Sequence, residues 1–259
     1  MFVIIDPRLP IFIPFGYARI GKTMLIQRLL RYLRTTGYCV QPELVFRNDP
    51  LYSEICNKYI EEINGNKIAA ATAPNGTILL RIIDRSGTPI CYLLDIAGEH
   101  QYNINIPNGS ISAEMRYFVH SPNPKIWGFM VENNNWLNQQ QRQGYVHSIR
   151  NMAFNALTPK DKVLFIYNKV DILPMHGQIS WRGLFDSADS IFPGIFNPFE
   201  ETNSIKRLLR GKYKFMLLPF QSGDYFQTSD QYGNDYVNFI SGKDEYPKLL
   251  WHNILEYIR

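Results

Sequence analysis

Residues 16–23 read GYARIGKT, preceded by the apolar run IFIPF at 11–15 and followed by MLIQRLLRYL from Met24. A G-x-x-x-x-G-K-T pattern between a strand-like and a helix-like run predicts a phosphate loop. The glycine turn aims several backbone N–H groups and the positive end of the helix at one point. Gly16, Arg19, Ile20, Gly21, Lys22, Thr23 and Met24 then surround the phosphates, with the Lys22 ammonium on the terminal phosphates and the Thr23 hydroxyl on Mg2+. At ordinary glycine usage the pattern arises by accident in about one chain in a hundred of this length, so it needs support.

Two further motifs supply that support. CYLLDIAGEH carries D-x-x-G as Asp95-Ile96-Ala97-Gly98, and VLFIYNKVD carries N-K-x-D as Asn168-Lys169-Val170-Asp171. Each closes an apolar, strand-like run, and in a doubly wound α/β sheet ligands gather at the carboxyl ends of strands. D-x-x-G alone is common, whereas N-K-x-D is expected in about one chain in thirty.

With these three motifs in this order, the chain resembles the P-loop GTPases of the translation-factor and Ras-like (TRAFAC) class, from about Ile11 to the C-terminus, although residues 35–70 match no part of that pattern. The resemblance implies a GTP or GDP site with Mg2+, and a switching or hydrolytic role. It implies that Asp95 holds Mg2+ through water and that the Gly98 N–H meets the γ-phosphate. The Asp171 carboxylate would accept two hydrogen bonds from guanine, a bidentate fit that adenine lacks. Asn168 would bridge to the phosphate loop and the Lys169 stem would cover the base. Ser222-Gly223 resembles the element that contacts guanine O6, with a plain loop as the equal alternative. A first-switch threonine that ligates Mg2+ is expected at Thr72 or Thr77, with a slight lean to Thr72.

The sequence departs from the Ras-like pattern at two points. Glu99 stands where a glutamine orients the attacking water, which leaves the hydrolytic mechanism open: a carboxylate takes a proton from water but is repelled by a triphosphate. Arg19 makes the loop G-x-x-R-x-G-K-T, similar to that of guanylate-binding proteins and atlastins, where the arginine is a finger supplied from within the chain. Lys22, Arg19 and Glu99 are accordingly the candidate catalytic residues, with a solvated arginine at the loop rim as the plain alternative for Arg19. D-I-A-G-E and the insertion after the first helix make the chain similar to the prokaryotic double-GTPase group. That likeness implies a protein effector or partner GTPase, and leaves a nucleotide-dependent dimer open. A non-hydrolysing module that keeps GTP as a structural ligand is the alternative reading.

Composition agrees with a globular protein. The 259 residues, 45% hydrophobic and 14% aromatic, suit one elaborated domain over 1–259, with an insertion at about 35–70 and a long loop at about 173–212. A net charge of +4 from scattered lysines and arginines implies neither a nucleic-acid nor a lipid surface. Cys39, Cys56 and Cys91 lack metal or disulfide spacing, and the histidines lack ligand spacing, so a reducing cytoplasm is expected. The MFVIID start is too short an apolar run for a signal or a membrane span.

Strands are expected at 2–5, 11–15, 78–84, 89–94, 126–131, 163–167 and 214–219, and helices at 23–34, 52–63 and 247–258. The fold class is a doubly wound, mostly parallel α/β sheet with helices on both faces, as in P-loop NTPases and the Ras-like G domain. Pro14 is awkward in a central strand because it withholds a ladder N–H.

Overall fold

A computed structural model describes residues 5–43, 50–64, 76–106, 111–133, 136–172, 180–204, 207–208, 211–229 and 235–258, with backbone only at 225–229 and 235–239. The elements run β1 (Ile11–Phe15), α1 (Lys22–Thr35), β2 (Cys39–Pro42), α2 (Pro50–Asn64), β3 (Thr77–Ile83), β4 (Pro89–Ile96), α3 (Gly98–Gln101) and α4 (Ala113–Val119). They continue with β5 (Lys125–Glu132), α5 (Gln139–Asn155), β6 (Lys162–Asn168), α6 (Trp181–Ile191), β7 (Met216–Pro219), β8 (Gly223–Ser229), β9 (Asp235–Ser241) and α7 (Glu245–Ile258).

The main sheet has the order β2-β3-β4-β1-β5-β6-β7. Strands β4, β1, β5, β6 and β7 pair in parallel, and β2 and β3 add antiparallel pairings at one side. This is the expected doubly wound, mostly parallel α/β sheet. The chain leaves β1 toward β2, then crosses from β4 to β5 on the other flank, so the order reverses beside β1 and opens a crevice at the carboxyl ends there. Every residue of β1 and β5 is buried, as the unbroken apolar runs of a doubly covered sheet require. Phe15, Trp127, Phe129 and Tyr145 pack ring against ring beneath the crevice.

Pro14 fits β1 for a local reason. The Ile11 N–H bonds Pro124 O on the β5 side, so by strand alternation position 14 faces β4. Pairing to β4 covers only Ile11 and Phe12. Past that point the Gln101 side chain takes over the ladder: its amide donates to Pro14 O over 2.8 Å and accepts from the Gly16 N–H over 2.9 Å.

The predicted helices and hairpin are present with ends shifted by at most two residues. The start of the chain, where a strand over 2–5 is expected, lies outside the described residues apart from Ile5. Elements beyond the expected set are also present. Residues 39–42 form an edge strand on β3. Within 173–212 the long loop holds the helix α6, whose N-cap Ser180 hydroxyl accepts from the Gly183 N–H. After Phe220, where no strand is among those expected, β8 pairs antiparallel with β9. Gly223 opens β8, and its φ of 142° explains why glycine stands there.

Candidate functional site

Helix α1 begins with neither a side-chain cap nor an acidic residue in its first turn, because Gly21 precedes it in the left-handed region at φ 96°. Its first N–H groups thus keep their capacity for an anion. Lys22, 5% exposed, folds back over the loop and donates to Gly16 O (2.9 Å) and Tyr17 O (3.0 Å). Burial pulls its pKa down to about 8, against the opposing charges of Asp95 and Glu99. A buried ammonium whose hydrogen bonds go to carbonyls gains from an incoming anion.

Asp95, at the end of β4, is fully buried. Its Oδ1 accepts from the Thr23 hydroxyl (3.1 Å) and its Oδ2 from the Tyr59 hydroxyl (2.9 Å). Burial raises the Asp95 pKa, while the two hydroxyl donors and Lys22 pull it the other way. The Thr23–Asp95 contact puts the two expected Mg2+-directed oxygens side by side. Among the described residues no cluster of three or more His, Cys, Asp or Glu could hold a metal by itself. One hydroxyl and one carboxylate fit Mg2+, which keeps most of its waters and takes other ligands from phosphate. Thr23 and Asp95 would hold it.

Past Asp95, Gly98 packs against the phosphate loop: a Cβ on it would stand 2.4 Å from the Ala18 nitrogen and 2.6 Å from the Tyr17 carbonyl carbon. Only glycine permits that approach. Glu99 follows, exposed, at the start of α3. His100 is half-buried and its Nδ1 lies 3.4 Å from Glu114. Thr72 lies outside the described residues. Thr77 is buried as the first residue of β3 and paired with Ile96.

The N-K-x-D loop docks on the phosphate loop through two successive residues. Asn168 Nδ2 donates to Ile20 O over 2.7 Å, and Lys169 Nζ to Arg19 O over 3.5 Å. Lys169 also meets Glu132 Oε2 at 2.5 Å, and the other Glu132 oxygen accepts from the Tyr17 hydroxyl at 3.2 Å. Arg19 (φ 68°) and Lys169 (φ 56°) both hold left-handed backbone, a conformation that costs a non-glycine residue about 1–2 kcal/mol. The facing contacts keep both in place. The Arg19 side chain is exposed at the rim. Asp171 is exposed in a single 3-10 turn. The Val170 N–H bonds Phe220 O, which brings the buried Ser222 and Gly223 to the same side as Asp171.

Four residues of this constellation escaped sequence reasoning. Glu132 ends an apolar strand at the carboxyl edge, a legible signal. Tyr17 occupies a variable position of the loop. Gln101 and Tyr59 act through contacts between distant elements, and no local pattern marks them.

No family model matches the chain, and neither does any curated protein. Among solved structures, the chain is similar to one from a study entitled "Dimerization is important for the GTPase activity of chloroplast translocon components atToc33 and psToc159". The TM-score is 0.48 at 10% identity, covering 98% of this chain and 84% of that one. At that level of likeness nothing about activity or assembly transfers.

Proposed function

We propose that this chain binds a guanine nucleotide with Mg2+ and hydrolyses GTP to GDP and phosphate, with two nucleotide states that present different surfaces to a protein effector or partner GTPase. The observation that carries the reading is the docking of Asn168 and Lys169 on the carbonyls of Ile20 and Arg19. A base held by Asp171 would then lie at a fixed distance from phosphates held at the start of α1.

In this reading the N–H groups after Gly21 and the Lys22 ammonium bind the β- and γ-phosphates, and Lys22 exchanges its two carbonyl partners for phosphate oxygens. Mg2+, held by Thr23 and Asp95, would neutralise charge on the same oxygens. Arg19, free of burial at the rim, turns its guanidinium toward the γ-phosphate as charge accumulates there. Glu99 accepts a proton from the attacking water. Asp171 selects guanine, and Ser222 and Gly223 border the base. The TRAFAC class, and within it the double-GTPase group, is the finer assignment, resting on D-I-A-G-E and on the segment between α1 and β3. A cytoplasmic setting accompanies it.

One observation favours a second reading, a module that binds GTP without cleaving it: Glu99 lies close enough to Lys22 for its charge to act there, where it would also oppose a triphosphate. Overnight incubation with Mg-GTP followed by chromatography of the nucleotide separates the two. GDP and phosphate are expected, and GTP recovered intact establishes the binding module.

A further inference from the structure

Helix α2 turns one face inward, with Tyr52, Cys56, Tyr59 and Ile63 buried at spacings of four, three and four. The two tyrosines on that face end on different things. The Tyr52 hydroxyl donates to Glu43 O at the end of β2, fastening the helix to the sheet edge. The Tyr59 hydroxyl donates to Asp95 Oδ2 over 2.9 Å, while Asp95 Oδ1 is taken by Thr23.

We infer that Tyr59 is the positioning residue for the Asp95 carboxylate and ties α2 to occupancy of the Mg2+ site. The inference rests on the guanine-nucleotide reading above and goes beyond it by assigning a role to the inserted helix. Three features support it. Asp95 is fully buried, and both its oxygens take hydrogen bonds from hydroxyls of the protein. The Tyr59 bond fixes which oxygen faces Thr23. And α2 also rests on α1, where Arg31 Nη2 meets Glu62 O at 3.3 Å, so the helix reaching Asp95 is held beside the helix that carries Thr23. Because coupling between two equilibria is reciprocal, a contact that favours Mg2+ at Asp95 must also make α2 more firmly seated when Mg2+ is bound.

Tyr59→Phe deletes the hydroxyl and keeps the ring, and Tyr52→Phe does the same about two turns earlier on the same face. Two measurements apply to wild type and both variants: the Mg2+ concentration giving half-maximal binding of a fluorescent GDP, and hydrogen exchange across residues 50–64 with and without Mg-GDP. Tyr59→Phe is expected to need at least fivefold more Mg2+ and to lose the Mg-GDP-dependent protection of α2. Tyr52→Phe is expected to keep the wild-type Mg2+ dependence. If wild type binds fluorescent GDP and Tyr59→Phe matches it in both Mg2+ dependence and α2 protection, this inference is overturned and the nucleotide reading stands. The inference is likewise overturned if both variants shift alike, since α2 then acts only by its stability. If wild type binds no GDP at any Mg2+ concentration, the nucleotide reading falls and takes this inference with it.

Discussion

A Cβ placed on Gly21 would stand 2.5 Å from the Nδ2 of Asn168, the atom that donates to Ile20 O. The last glycine of the phosphate loop and the first residue of N-K-x-D, 147 positions apart by number (168 − 21), are therefore fitted to each other. Glycine here serves both the left-handed turn into α1 and the approach of the Asn168 amide. Gly21→Ala should displace the amide and strain the loop, lowering GDP affinity at least tenfold and stability by about 1–2 kcal/mol. Calorimetry and denaturant unfolding check the two effects.

Asp171→Asn should exchange guanine for xanthine. In the proposed complex the carboxylate would accept from both guanine N1–H and the exocyclic amine, whereas an amide can accept from N1–H and donate to the carbonyl that xanthine carries at the same place. Loss of charge-assisted bonds costs about 1.5–3 kcal/mol each, so GTP affinity should fall about a hundredfold and XTP affinity should rise. Competition between the two nucleotides reads the switch, and retained preference for GTP counts against Asp171 as the base-reading residue.

Arg19→Ala should leave GTP affinity within a few-fold and lower turnover at least tenfold, about 1.4 kcal/mol of transition-state stabilisation. Single-turnover hydrolysis measures this. An unchanged rate identifies Arg19 as a solvated residue of the rim.

Gln101→Ala should destabilise the protein by about 2–4 kcal/mol, since the buried Pro14 carbonyl and Gly16 N–H each lose their partner. Thermal unfolding is the measurement. Gln101→Ala should also weaken nucleotide binding, because Gly16 opens the phosphate loop. A variant with wild-type stability shows that another group replaces the amide.

The parts of the fold that sequence displays are those with local causes. The strand–glycine–helix pattern at 11–34 names β1, the loop and α1 together, and Asp95 and Asn168 are visible because each ends an apolar run. Pro14 looked misplaced because its acceptability depends on the distant Gln101. The edge strand 39–42 and the hairpin β8–β9 were missed for a related reason. CVQP, with a proline and a half-exposed alternation, carries little strand signal and is strand only because β3 offers an open edge. At the site, the residues proposed to face phosphate or base are legible by motif. Those that hold the motif residues in place, Tyr59 on Asp95 and Glu132 on Lys169, are set by packing between elements far apart in sequence.

Isothermal titration with GDP, GTP and ATP in excess Mg2+ tests the central claim most directly. The account predicts micromolar or tighter binding of both guanine nucleotides and at least hundredfold weaker binding of ATP. No heat with either guanine nucleotide, or ATP binding as tightly as GTP, contradicts it.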